Sequence, residues 1–146
     1  MMRKVENYVL DTNCLIMSLS SRNQYSFIWN SFVNGIFNLC VTNEILEEYE
    51  EVISRNINSK VAKLVISYML MLPNVKYFDP HYSFGLIQAD YDDNKFVDCA
   101  IVANARCIVS EDHHFDVLEN VDFPKVDVIG IDDFLSILLN DNLSNK

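Results

Sequence analysis

The sequence predicts an α/β domain, with a central parallel β-sheet between layers of helices in a three-layer α/β/α stack. Three observations carry that expectation. Short apolar runs alternate with amphipathic helical stretches along the chain. Strands separated by helices imply right-handed crossovers, which cover both faces of a parallel sheet. Polar residues stand just past several apolar runs, at the carboxyl strand ends outside which such sheets bind ligands.

The elements follow in order. Tyr8-Val9-Leu10 reads as a first buried strand that stops at Asp11. A helical stretch around Tyr25–Val33 breaks near Asn34-Gly35, and Phe37–Val41 reads as the second strand. Thr42 or Asn43 can cap the next helix, Glu44 to about Arg55. Another helix runs from about Ser59 to Leu72 and is stopped by Pro73. Val75–Phe78 reads as an edge strand ended by Asp79-Pro80, followed by a loop to Asp93. A helix of apolar and small residues spans about Asn94–Ala105, and Cys107–Ser110 is the next strand. After a short helix, Val126–Ile129 is the last strand, and Ile131–Leu139 is a closing helix capped by Asp132 or Asp133.

Residues 1–146 read as one domain, with half of them apolar and only three Gly and three Pro. No apolar stretch approaches the roughly 20 residues of a membrane span. The opening Met1-Met2-Arg3-Lys4-Val5-Glu6-Asn7 lacks a signal-peptide pattern. A cytoplasmic protein with no membrane partner is therefore expected. Cys14, Cys40, Cys99 and Cys107 sit among apolar residues at spacings that match no zinc pattern, as reduced buried thiols do. The 21 acidic residues against 11 Lys and Arg, a net charge of −10, run against the basic surface usual in a nucleic-acid binder. Either nucleic acid is not the ligand, or many carboxylates gather where divalent cations neutralise them.

Four segments supply candidate carboxylates. Asp11 directly follows the first strand, where the ordinary task of Asp11 or Thr12 would be to cap the following helix. In the helix Glu44–Arg55, a turn of about 100° per residue puts Ile45, Leu46, Tyr49, Val52 and Ile53 on one apolar stripe. Glu44, Glu47 and Glu51 then face solvent, while Glu48 and Glu50 border the stripe. Asp93 projects in line with Phe96, Ala100 and Ala103 on the core side of its helix. Asp98 falls nearly opposite, on the side expected to be solvated, and Asp90 and Asp92 are loop candidates. Asp112 lies just past the strand Cys107–Ser110, where it too can cap a short helix. A few convergent carboxylates are what Mg²⁺ and Mn²⁺ take as ligands.

Together, Val9-Leu10-Asp11-Thr12-Asn13, Thr42-Asn43-Glu44-Ile45-Leu46-Glu47-Glu48-Tyr49, Asp90-Tyr91-Asp92-Asp93-Asn94-Lys95-Phe96-Val97 and Ile108-Val109-Ser110-Glu111-Asp112 resemble the PIN domain family. These are nucleases of bacterial toxin–antitoxin modules and of RNA processing, and the branch of toxin components is the nearest in pattern. The resemblance maps the family's four acids onto Asp11, Glu48, Asp93 and Asp112, with Asp90, Asp92 and Asp98 competing for the third place. It gives supporting positions to Asn13 and Ser110, and marks Glu111 as either an extra ligand or a neutral departure from a common Gly. It implies Mg²⁺- or Mn²⁺-dependent cleavage of RNA, a cognate antitoxin protein and a homodimer.

His113-His114 reads as a pair of partly exposed loop residues rather than a metal site, because neighbouring side chains diverge. The stripe of Trp29, Phe27, Ile28, Phe32 and Val33 reads as core packing, with an exposed remnant suited to a partner. Arg55, Lys60, Lys63, Arg106 and Lys125 form no patch. The competing function is a non-catalytic module that keeps the fold to hold RNA or protein; retained acids count against it. A phosphotransfer receiver would want a lysine after the strand that follows Asp112, where Ile129-Gly130-Ile131-Asp132 stands instead.

Overall fold

In the computed structural model the described residues are 4–144. Five strands form the sheet: β1 (Asn7–Leu10), β2 (Asn38–Val41), β3 (Val75–Tyr77), β4 (Cys107–Val109) and β5 (Val128–Ile129). Their order is β3-β2-β1-β4-β5, and every pairing is parallel. The central strand is thus β1, with Tyr8, Val9 and Leu10 all buried. Successive strand residues point to opposite faces, so burial of all three means that both faces of the sheet are covered. This is the expected α/β/α arrangement. Tyr8 packs on Phe37 and on Phe134, while the segment Asn94–Val102 packs against β1, β2 and β4.

The helices are α1 (Thr12–Leu19), α2 (Ser26–Val33), α3 (Asn43–Asn56), α4 (Ser59–Met71), α5 (Asn94–Val102) and α6 (Ile131–Ser144). Two 3-10 segments, Tyr91–Asp93 and His113–Asn120, complete the described elements. Helix α1 is short and mixes apolar with small polar residues, so periodicity sets no bounds for it. In α3 the stripe is as projected, with Ile45, Tyr49 and Ile53 buried, and Thr42 is the cap, its Oγ1 accepting from the Ile45 N–H at 3.2 Å. Gly35, with φ of +76°, ends α2 in the left-handed conformation that glycine adopts without strain. Just before β3, buried Asn74 donates to the carbonyls of Phe32 and Phe37 at 2.8 and 2.9 Å, tying the end of α2 and the approach to β2 together.

Two expectations need correcting. Helix α6 runs on to Ser144 instead of stopping at Leu139, and neither Asp132 nor Asp133 caps it. The N–H of Ile131, which opens the helix, donates to Glu111 Oε1 at 2.6 Å. Asp132 instead accepts from the Tyr25 hydroxyl at 2.7 Å. Asp98 is not solvated either, being only 8% exposed. The far side of α5 is covered by the loop before it: Asp98 Oδ1 accepts from the Phe84 N–H, and the Asn94 amide bonds both N–H and C=O of Ile87.

Candidate active site

The carboxyl ends of β1 and β4 meet, since the Asp11 N–H donates to the Val109 carbonyl at 3.0 Å. Asp11 is buried, and its carboxylate makes no capping bond to α1. It accepts instead from Ser110 Oγ at 2.7 Å, and the same Ser110 Oγ accepts from the Asp112 N–H at 3.0 Å. Burial pushes the Asp11 carboxyl above its usual pKa. The Ser110 bond and the Thr12 N–H oppose this, and the charges of Asp112 and Glu48 add to it. Asp112 does cap its 3-10 segment, through Oδ1 and the His114 N–H at 2.9 Å, so it serves the local turn while lying beside Asp11.

Glu48 arrives from α3, on the flank of the apolar stripe. Thr12 Oγ1 donates to its Oε2, and Lys95 Nζ stands 2.8 Å from its Oε1. Lys95 also pairs with Asp92 at 2.9 Å, and its side chain is only 6% exposed. Burial works against the lysine charge, but the bonds to Glu48 and Asp92 outweigh it and hold the pKa above normal. An internal cation thus sits on one of the four candidate acids.

Asp93 closes the 3-10 segment that leads into α5. Its carboxyl is pushed from 3.8 up to about 6, first by burial and then by the charges of Asp90, Asp112 and Asp11, with a His114 bond opposing. His114 Nδ1 lies 3.2 Å from Asp93, 3.4 Å from Asp112 and 3.9 Å from Asp90. The Asp93 bond, followed by the Asp112 charge, raises the imidazole pKa. One ligand atom from each of Asp90, Asp93 and His114 falls within 4.8 Å of the others.

The structure therefore brings Asp11, Glu48, Asp93 and Asp112 into one electrostatic cluster with Ser110 inside it, and adds Asp90, Lys95 and His114. Asn13 lies exposed in the first turn of α1 without a bond to the cluster. Asp98 faces the neighbouring cleft rather than the cluster, near Glu44 and Ser83. Glu111 is occupied by the start of α6, and Gly130 makes room for it: a Cβ there would meet Glu111 Oε1 at 3.0 Å. His114 joins the acids while His113 turns outward to Asp116, so the two histidines diverge as expected but only one is a bystander. Lys95 and Thr12 were visible in the sequence only as part of a motif and as a cap candidate. Their shared partner, Glu48, comes from another helix.

Carboxylates of like charge held together and partly shielded from water favour a divalent cation, which would replace protons as the neutralising charge. Among curated proteins none matches the chain at a significant level. Solved structures share its fold, two of them at 14% identity. A chain of VapBC2 from Rickettsia felis, crystallised bound to a DNA fragment from their promoter, aligns with a TM-score of 0.58 at 14% identity, over 85% of this chain and 98% of that one. The PIN domain endonuclease Utp24 aligns with a TM-score of 0.50 at 14% identity, over 85% and 84%. The PIN domain profile matches residues 7–114, from the first residue of β1 through His114. That span holds every acid of the cluster, and the chain belongs to the PIN domain family.

Proposed function

We propose that this protein is a metal-dependent endoribonuclease that hydrolyses RNA phosphodiester bonds, and that it is the toxin of a toxin–antitoxin pair. Asp11, Glu48, Asp93 and Asp112 are the proposed ligands of Mg²⁺ or Mn²⁺. The observation that carries the reading is the convergence of these four acids, from four separate segments, at the carboxyl end of the sheet. The donor set fits such an ion, because hard divalent cations take carboxylate oxygens and keep several waters.

A bound ion supplies Lewis acidity at the phosphate and lowers the pKa of a water. The chain's own residues arrange the rest. Ser110 turns Asp11 by its 2.7 Å bond, Thr12 and Lys95 fix the two oxygens of Glu48, and His114 bridges Asp93 and Asp112. Hydrolysis adds one water across a P–O bond, its oxygen going to phosphorus and a proton to the leaving sugar oxygen. The acidic surplus of the chain is consistent with this, since part of it is gathered where a cation would neutralise it.

A protein partner is supported by the apolar surface between α2 and α4. Trp29, Leu64, Val65, Tyr68 and Met71 line a shallow depression there, with Met71 80% exposed. A cognate antitoxin and a second copy of the chain are the partners we propose. No helix among the described residues is long and apolar enough to cross a membrane.

The test is cleavage of a mixed RNA substrate by purified protein with Mn²⁺, with Mg²⁺ and with chelator, comparing wild type with Asp11→Asn. Cleavage should need metal and fall at least about a hundredfold in the variant. Equal cleavage by both proteins would remove Asp11 from the centre, and binding of RNA without cleavage would favour the non-catalytic module.

A further inference from the structure

Beside the acidic cluster lies a second cleft of about 450 Å³, between the start of α3, the loop at 79–83 and the segment 91–98. The two sites share a wall. Asp93 belongs to the cluster, while its neighbours Tyr91 and Asn94 line the cleft. Lys95 lines the cleft as well and reaches Glu48 with its ammonium. A strand held at the cluster would pass its adjoining nucleotide into this space.

The walls do not suit a phosphate. Glu44, Asp79 and Asp98 line the cleft, and the ammonium of Lys95 is already paired with Glu48 and Asp92, leaving His81 as the other basic group. They do suit a base. Tyr82 is 77% exposed and Tyr91 70%, both on this cleft, and neither ring packs on another among the described residues. Exposed aromatic faces are the platforms on which single-stranded bases stack. The site is also built. Asp98, 8% exposed, grips the Phe84 N–H at 3.1 Å, and Asn94 holds Ile87 by two bonds of 2.9 and 2.8 Å, so α5 fixes the loop that carries Tyr82.

We propose that this cleft is a base subsite, where an unstacked base of single-stranded RNA next to the cleaved bond stacks against Tyr82 and Tyr91 and turns its N–H groups to the carboxylates. The proposal rests on the RNA nuclease reading for its choice of ligand. Carboxylates accept hydrogen bonds and donate none. Adenine, guanine and cytosine offer them exocyclic amino groups. Uracil has a single ring N–H flanked by two carbonyls, which carboxylates repel. The subsite therefore discriminates against uracil.

The experiment uses a short single-stranded RNA carrying one 2-aminopurine, with Mn²⁺ present and Asp11→Asn as the parent so that the strand stays intact. Stacking should quench the probe. Tyr82→Ala and Tyr91→Ala should each weaken the quenched complex about ten- to a hundredfold, while Tyr82→Phe and Tyr91→Phe keep it. Poly(A) and poly(C) should displace the probe at lower concentration than poly(U). Absence of quenching in the parent overturns the subsite, as does quenching that survives both alanine substitutions or equal competition by poly(U). Cleavage by the wild-type protein is scored separately on the same RNA. Cleavage without quenching rejects the subsite and keeps the nuclease; quenching without cleavage does the reverse.

Discussion

Replacing Asp93 with asparagine should make the metal-free protein more stable at pH 7.5. In the folded chain the Asp93 carboxyl is pushed from 3.8 to about 6, so it binds its proton more tightly there than in the unfolded chain. Between those values the folded state holds more protons, and stability falls as the pH rises through the window. Above pH 6 the full cost of the buried, repelled charge is present. At about 1.36 kcal/mol for each tenfold change in proton affinity, that cost is at most about 3 kcal/mol. The mouth of the cluster is open at His114, whose side chain is 45% exposed, so solvent screening reduces it to about 1–2 kcal/mol. Asparagine keeps the shape and removes the charge. Thermal unfolding in chelator at pH 7.5 should show a midpoint about 3–6 °C higher for Asp93→Asn. The gap should close as the pH is taken to 4, and Mn²⁺ should reverse it by stabilising the wild type selectively. A variant no more stable than wild type at pH 7.5, or a gap that widens on acidification, would refute the electrostatic account of the cluster.

Ser110→Ala removes the donor to Asp11 and the acceptor for the Asp112 N–H. It should lower Mn²⁺ affinity about 10- to 100-fold by calorimetric titration, with the fold retained. Asn74→Ala leaves the carbonyls of Phe32 and Phe37 without their buried donor. It should cost about 3 kcal/mol in urea unfolding, and should leave the Mn²⁺ affinity of the folded protein unchanged, because Asn74 lies away from the cluster.

The sheet and most helices are legible in the sequence because each is encoded locally, as an apolar run or a stripe of fixed period. In α3 the stripe Ile45, Tyr49, Ile53 says which side is buried and leaves Glu48 and Glu50 on its borders; the family resemblance, not the period, singles out Glu48. Asp98 is misread because periodicity tells which face of α5 meets the sheet, but not that the loop at 83–87 folds back over the other face. The cap of α6 is missed on similar grounds, as Glu111 and Ile131 are 20 residues apart. His114 looks like a loop residue because its three acidic neighbours come from Asp90, Asp93 and Asp112, two of them in another segment. Local pattern therefore fixes which way an acid points, and only the tertiary fold determines what it meets.

The bond from the Asp11 N–H to the Val109 carbonyl has a meaning for how the protein is made. Strand β1 leaves the ribosome before the other four, yet one of its two neighbours in the sheet, β4, follows only after β2 and β3. Until residues 107–112 have emerged, the edge of β1 that receives β4 is unpaired, and Asp11 has neither Ser110 nor Asp112 beside it. A half-translated chain consequently carries no assembled acidic centre. The cluster closes only when the fourth strand docks beside the first.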